Sequence, residues 1–97
     1  MTSLEGIRKR IEDAAAVVNT VATREYIGAH DDDEIRDTYN EGVFDLFRAA
    51  YDYMDAGGSV KIRCVRELYY ADIFDTVENI HGVVVEFITG HFRDSVV

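Results

Sequence analysis

The spacing of apolar residues limits the fold of this chain more than any other feature, because it predicts two long helices packed side by side. The first apolar series is Leu4, Ile7, Ile11, Ala14, Val18 and Val21. Its members step along the chain by three, four, three, four and three residues, which is the seam of a helix that packs lengthwise on another helix. We therefore predict a helix from about Ser3 to Arg24, with the Ser3 side chain as its N-cap.

A second helix is predicted between the acidic run that begins at Asp31 and the diglycine Gly57-Gly58. Carboxylates favour the exposed amides at a helix N-terminus, and glycines commonly end a helix. The apolar residues of this helix recur at helical spacing: Ile35, Tyr39, Val43, Leu46, Phe47, Ala50, Tyr51 and Met54. Residues 28–30 indicate a turn, and a short turn between two long helices predicts an antiparallel helical hairpin over residues 3–56.

The period changes after the diglycine, where a strand is predicted. Val60, Ile62 and Cys64 alternate with polar residues, and β-branched side chains dominate this segment. An alternating pattern is typical of a strand that buries one side. We therefore expect the Cys64 thiol to be buried with its apolar neighbours.

The remainder of the second half, residues 59–97, predicts further strands. Residues 72–81 indicate a short helix, residues 83–88 a second strand, and residues 92–97 a third strand or a tail. One helix between two strands predicts a β-α-β unit in which the strands pair in parallel with a right-handed connection. A sheet this small needs to pack on the helices or on a neighbouring molecule.

Length and composition predict one folded domain, residues 1–97. A chain of 97 residues is too short for two hydrophobic cores. Its 47% hydrophobic and 11% aromatic content is too apolar for a disordered chain. The predicted fold class is α+β, with a long antiparallel helical hairpin (residues 3–56) followed by the β-α-β unit (residues 59–97).

The balance of charges points to a protein adapted to high salt. Nineteen Asp and Glu residues stand against ten Lys and Arg residues, for a net charge of -9, and Asp outnumbers Glu. Dense carboxylates keep a protein hydrated while molar salt screens their repulsion, a pattern typical of extreme halophiles. The alternative is an ordinary acidic mesophilic protein. In either case we expect no direct binding to nucleic-acid phosphates, which requires a basic face.

The sequence lacks features typical of membrane, secreted and disulfide-bonded proteins. It has no apolar run of membrane-spanning length and no basic-then-apolar leader. Its single cysteine, Cys64, forms no internal disulfide. We therefore expect no membrane, and a reducing, cytoplasmic setting or a virion assembled in the cytoplasm.

Residue types that carry chemistry do not form a catalytic or ligand-binding pattern in this sequence. The histidines, His30, His81 and His91, lie near predicted element boundaries and lack metal-ligand spacing. A buried Cys64 thiol is an inert one. No nucleophile elbow, phosphate-binding loop or dinucleotide fingerprint is present. We expect no enzyme activity, no metal and no cofactor.

Three groups of residues are candidate protein interfaces. The acidic stripe lies along one side of the second helix, on both sides of Arg48 in the sequence. It consists of Asp37, Glu41, Asp45 and Asp52. The basic run follows the diglycine: Lys61, Arg63 and Arg66. The third group consists of aromatic residues outside the main helical seam: Phe44, Tyr51 and Tyr53.

Each group also has a purely structural interpretation. The acidic stripe is then a solvated face, the basic run pairs with Glu86 across the sheet, and the sheet covers the aromatic side chains. If the acidic stripe and the basic run stay exposed, they complement each other between copies, which predicts head-to-tail assembly.

The leading functional hypothesis is a non-catalytic assembly or adaptor subunit that forms a homo-oligomer or joins a larger complex. It depends on the apolar side chains on several sides of the second helix and on the asymmetry of charge. One alternative is a regulatory or sensor module that binds an anion through Lys61 and Arg63. A second is a connector-type virion protein of a halophilic virus.

Overall fold

The computed structural model describes residues 3–65 and 80–88 of the chain. Three helices precede two strands: α1 (Leu4–Val21), α2 (Arg24–Ala29), α3 (Asp32–Asp55), β1 (Ser59–Val65) and β2 (Gly82–Ile88). This order of long helices followed by strands confirms the α+β class. The predicted third strand and most of the predicted short helix lie outside the described residues.

Side-chain caps fix where the two long helices begin. The Ser3 hydroxyl accepts a hydrogen bond from the Gly6 backbone N–H at 3.1 Å. The Asp31 carboxylate accepts one from the Glu34 backbone N–H at 2.8 Å. Each cap satisfies an amide that has no partner within its helix, a contribution of about 1 kcal/mol. The predicted starts of both helices are confirmed.

A short helix, and not the predicted turn, links the two long ones. The Thr23 hydroxyl accepts a hydrogen bond from the Tyr26 backbone N–H at 3.2 Å, so it caps α2 just after α1 ends at Val21. Ile27 on α2 is fully buried in a cluster with Val21. α2 therefore covers one end of the hairpin. The prediction of a turn at residues 28–30 is wrong because a local cap and a buried side chain continue the helical conformation there.

The packing of α1 on α3 forms the main core, and small residues bring the two helices close. The buried residues of α1 are Ile7, Ile11, Ala14, Ala15, Val18 and Val21. Those of α3 are Ile35, Gly42, Leu46, Ala49, Ala50 and Tyr53. A Cβ atom added to Gly42 would lie 3.1 Å from methyl carbons of both Val17 and Val18. The backbone of α3 thus approaches α1 as closely as its neighbours allow.

The end of α3 turns the chain sharply into β1. The Gly57 N–H donates to the Met54 carbonyl at 3.0 Å, and the Gly58 N–H donates to the Tyr53 carbonyl at 2.9 Å. This is a Schellman motif, and Gly57 supplies its left-handed residue with φ of 100°. A Cβ atom on Gly58 would overlap the ring of Tyr53. Both glycines are therefore required where they stand.

The two strands pair antiparallel, so the predicted parallel pairing is wrong. The register places Ser59 opposite Ile88 and Val65 opposite Gly82. The chain consequently leaves β1 and enters β2 at the same end of the sheet. A parallel pair requires a connection that crosses the full length of the sheet, whereas an antiparallel pair does not. Strand direction could not be read from the alternation of side chains, which is the same in both arrangements.

The sheet packs on the helical hairpin through one of its faces. The half-buried side chains on that face are Val60, Ile62, Val85 and Phe87. The ring of Phe87 meets that of Tyr53 edge to face, with 5.4 Å between the ring centroids. Cys64 lies on the same face of the pleat but is exposed, so the prediction of a buried thiol is wrong. The alternation of side chains along a strand predicts the face of the sheet on which a residue lies. It does not predict how far the helices beneath that face extend.

Two helix side chains hold the backbone at the start of β2. Asn19 on α1 accepts a hydrogen bond from the Val83 N–H at 2.7 Å and donates to the Val83 carbonyl at 3.0 Å. The Tyr39 hydroxyl on α3 accepts from the His81 N–H and donates to the His81 carbonyl, both at 3.2 Å. These four hydrogen bonds join residues far apart in sequence, so they set the position of the sheet relative to both long helices.

Replacing Asn19 by Ala is expected to lower the free energy of unfolding by about 1–3 kcal/mol, because it leaves two part-buried backbone groups without partners. Urea unfolding followed by circular dichroism measures the change. The matched control is Asn40→Ala, which removes the same amide from an exposed position of α3 and is expected to change stability by less than about 0.5 kcal/mol. Equal effects of the two substitutions would contradict the role assigned to Asn19.

Candidate functional site

The acidic stripe is exposed along its length. Its four acidic residues are all exposed: Asp37, Glu41, Asp45 and Asp52. The Asp52 carboxylate forms an ion pair with the guanidinium of Arg10 on α1, with 2.9 Å between nitrogen and oxygen. This contact links the acidic stripe to α1. Arg48 lies over the ring of Phe44, with 5.7 Å between its guanidinium carbon and the ring centroid.

A surface cleft of about 500 Å³ lies between side chains of α1 and α3 beside the acidic stripe. Its charged lining residues are Arg10, Asp13, Asp45, Arg48 and Asp52. Three carboxylates and two guanidinium groups line it, so both signs of charge are present. Within residues 3–65 and 80–88, no group of three or more His, Cys, Asp or Glu residues is arranged to hold a metal ion.

The basic run is engaged within the sheet where the structure describes it. Glu86, the partner expected from the sequence, lies opposite Lys61 in the register. Its carboxylate is 4.0 Å from Arg63 Nε. Arg66 lies outside the described residues. Arg63 is therefore paired within the sheet, whereas Lys61 is exposed beside the same carboxylate.

The most distinctive surface is an aromatic stripe on the outer side of α3, defined by Phe44, Phe47, Tyr51 and Met54. These side chains are 62%, 50%, 70% and 46% exposed, respectively. They step along the helix by three, four and three residues, which is the spacing of a helix-packing seam. α3 therefore carries two seams, one buried against α1 and one facing outward.

The sequence located part of this stripe correctly. Phe44 and Tyr51 were expected to lie off the buried seam, and they do. Phe47, Met54 and Tyr51 itself were also counted in the apolar series of the second helix, yet all three are exposed. Tyr53 was a candidate interface residue, but it is 6% exposed and belongs to the main core. Gly42, Ala49 and Tyr53 lie on the same buried side of α3, so the side of α3 that faces α1 is the one with Gly42 and not the one with Phe47.

A groove of about 280 Å³ runs between the aromatic stripe and β1. Its lining residues are Phe47, Ala50, Tyr51, Met54, Val60 and Ile62. The groove continues the stripe towards the sheet, so the apolar surface is wider than one line of side chains. With aromatic side chains of about 150–250 Å² each, the exposed parts of the stripe amount to roughly 400 Å². Contiguous apolar patches of this size commonly mark interaction sites.

The comparisons with known proteins supply no relative. No protein-family model matches the chain, and no curated protein and no solved structure matches it significantly. Among the helices of the described residues, none combines the length and the apolar character needed to cross a membrane.

The ion pair between Arg10 and Asp52 is expected to be weak and dependent on salt, because both side chains are about half exposed. A double-mutant cycle with Arg10→Gln and Asp52→Asn is expected to give a coupling free energy of about 0.2–1 kcal/mol in dilute buffer. In about 3 M salt the coupling is expected to vanish, since charge screening then acts within a few ångströms. A coupling that persists undiminished in high salt would show that the pair holds the helices together.

Proposed function

We propose that this protein is a non-catalytic assembly or adaptor subunit that associates with another protein through the aromatic stripe of α3. One observation carries the proposal: three large aromatic side chains and a methionine lie exposed in a helix-packing seam. Burying such a seam against a second helix removes several hundred Å² of apolar surface from water, at about 25 cal/mol per Å².

The surroundings of the stripe support a protein partner over a small ligand. Interfaces are enriched in Phe, Tyr and Met at their centres and are surrounded by polar residues. The aromatic stripe has that composition. The acidic residues Glu41, Asp45 and Asp52 lie along the same helix. The groove at its side is open and shallow, whereas small-molecule sites enclose most of the ligand surface.

The proposed partner is a second copy of this chain. The seam of α3 has the spacing required to pack on the same seam of another α3, and closed symmetric pairs are the commonest oligomers. The net charge of -9 opposes self-association in dilute buffer. Molar salt screens that repulsion and strengthens apolar burial, so the assembly belongs to high-salt conditions.

The mass in solution, measured by light scattering after size exclusion, tests this proposal at about 0.15 M and about 3 M salt. We expect a discrete oligomer at high salt and dissociation to the monomer in Tyr51→Glu, because the substitution places a charge in the centre of the stripe. Tyr51 is 70% exposed, so the variant is expected to remain folded.

The matched control is Leu4→Glu, which adds the same charge at an apolar position that is 40% exposed and lies outside the stripe. It is expected to keep the oligomer. A monomer for the parent protein at both salt concentrations, or equal loss of the oligomer in both variants, would contradict self-association through the stripe.

A further inference from the structure

The outer edge of β2, the edge turned away from β1, carries backbone groups that are arranged to pair with another strand. Asn19 already binds the N–H and the carbonyl of Val83 on this edge. In an antiparallel pair, alternate residues direct their backbone groups to the same edge. Val85 and Phe87 therefore direct theirs outward beside those of Val83. Within residues 3–65 and 80–88, β2 pairs only with β1.

A groove of about 540 Å³ runs along this edge between β2 and α1. Its wall on the helix is formed by Arg8, Glu12, Ala15, Ala16 and Asn19, and its wall on the strand by Val83, Val85 and Phe87. The hydrogen bonds of Asn19 close one end. At the other end the Arg8 guanidinium lies 4.3 Å from the centroid of the Phe87 ring. The two alanines leave the space between these ends open.

We propose that the outer edge of β2 and this groove are a docking site for an extended, basic segment of another protein. The segment adds a strand to the sheet, and its backbone exchanges hydrogen bonds with the backbone groups of Val85 and Phe87. Alternate side chains of the segment enter the groove beside Ala15 and Ala16. This is the mode of recognition in which main-chain hydrogen bonds provide affinity and alternate side chains provide specificity.

The geometry disfavours a second copy of β2 as the occupant. Antiparallel pairing of two β2 strands about a two-fold axis at residue 86 places Glu86 directly opposite Glu86 of the other copy. Like charges directly opposite each other destabilise a strand pair. If the axis lies at residue 85, the backbone groups of Val83 have to pair with the other copy. They are already bound to Asn19.

The negative charge of Glu86 and of the whole chain favours a basic segment at the outer edge of β2. Glu86 is the acidic side chain on the face of β2 opposite to the groove. Its side chain is 57% exposed and its ion pair with Arg63 of β1 is long, at 4.0 Å, so the carboxylate can also pair with a cation at the outer edge. A Lys or Arg of the added strand beside Glu86 forms a favourable cross-strand pair. The net charge of -9 also attracts a basic partner over long distances in dilute buffer. The segment is therefore expected to alternate small apolar residues with basic ones.

Amide hydrogen exchange on the full chain tests the proposal. In the free protein, the amides of Val85 and Phe87 are expected to exchange rapidly, while that of Val83 is protected by Asn19. Adding the peptide acetyl-Lys-Val-Lys-Val-Lys-Val-amide in dilute buffer is expected to slow the exchange of Val85 and Phe87 at least tenfold. The control peptide, with Glu in place of each Lys, is expected to have little effect.

Two substitutions make the test specific to the site. Ala16→Trp fills the groove and is expected to abolish the protection, whereas Ala16→Ser leaves the groove open and is expected to keep it. Glu86→Lys is expected to weaken binding of the lysine peptide by about two- to fivefold, the effect of one cross-strand charge pair. Protection of the Val83 amide in every variant reports that the sheet remains in place.

Three results would overturn the proposal. Val85 and Phe87 amides that are already protected in the free protein would show that the chain itself covers the edge. Amides that stay unprotected with millimolar peptide, or equal binding of the lysine and glutamate peptides, would exclude a basic strand. The Tyr51→Glu variant is expected to bind the peptide normally, so failure here is separate from failure of assembly through the aromatic stripe.

Discussion

The close contact of α1 with α3 is the constraint on which the rest of this structure depends. A helix pair usually leaves room for side chains on both partners, but here Gly42 lets the backbone of α3 approach Val17 and Val18 of α1. That approach fixes the rotation of α3 about its own axis. The side of α3 that carries Ala49 and Tyr53 then faces the core, and the side that carries the aromatic stripe faces outward.

The sheet follows from the same contact. α1 and α3 each provide one polar side chain, Asn19 and Tyr39, that binds the backbone of the chain at residues 81–83. These groups meet the same segment only because the helices lie side by side at a fixed distance. The Schellman motif at Gly57 directs β1 along the flank of α3. The helical hairpin thus fixes the position of the sheet and covers its inner face. Through Asn19 it also binds one end of the outer edge of β2.

The helical half was largely predictable, because its signals are local. Cap residues such as Ser3 and Asp31 and the period of apolar residues act within a few positions of the chain. The rotation of α3 and the direction of strand pairing depend on contacts between distant segments. The apolar pattern therefore did not separate Phe47 from the buried residues of α3, and the strands were predicted to pair in parallel. The aromatic stripe was only partly predicted for the same reason. The groove beside β2 had no sequence signal, since alanines in a helix indicate nothing about what lies next to them.

Salt is expected to have opposite effects on the two proposed contacts, because the chain carries many carboxylates. Contact between two aromatic stripes brings together copies that each carry a net charge of -9, so it gains from screening and from stronger apolar burial in molar salt. Docking of a basic strand beside Glu86 gains from the unscreened charge and loses affinity as salt rises. The same carboxylates therefore oppose one contact and favour the other. Raising the ionic strength is therefore expected to favour the aromatic contact over the strand contact without any change in the fold.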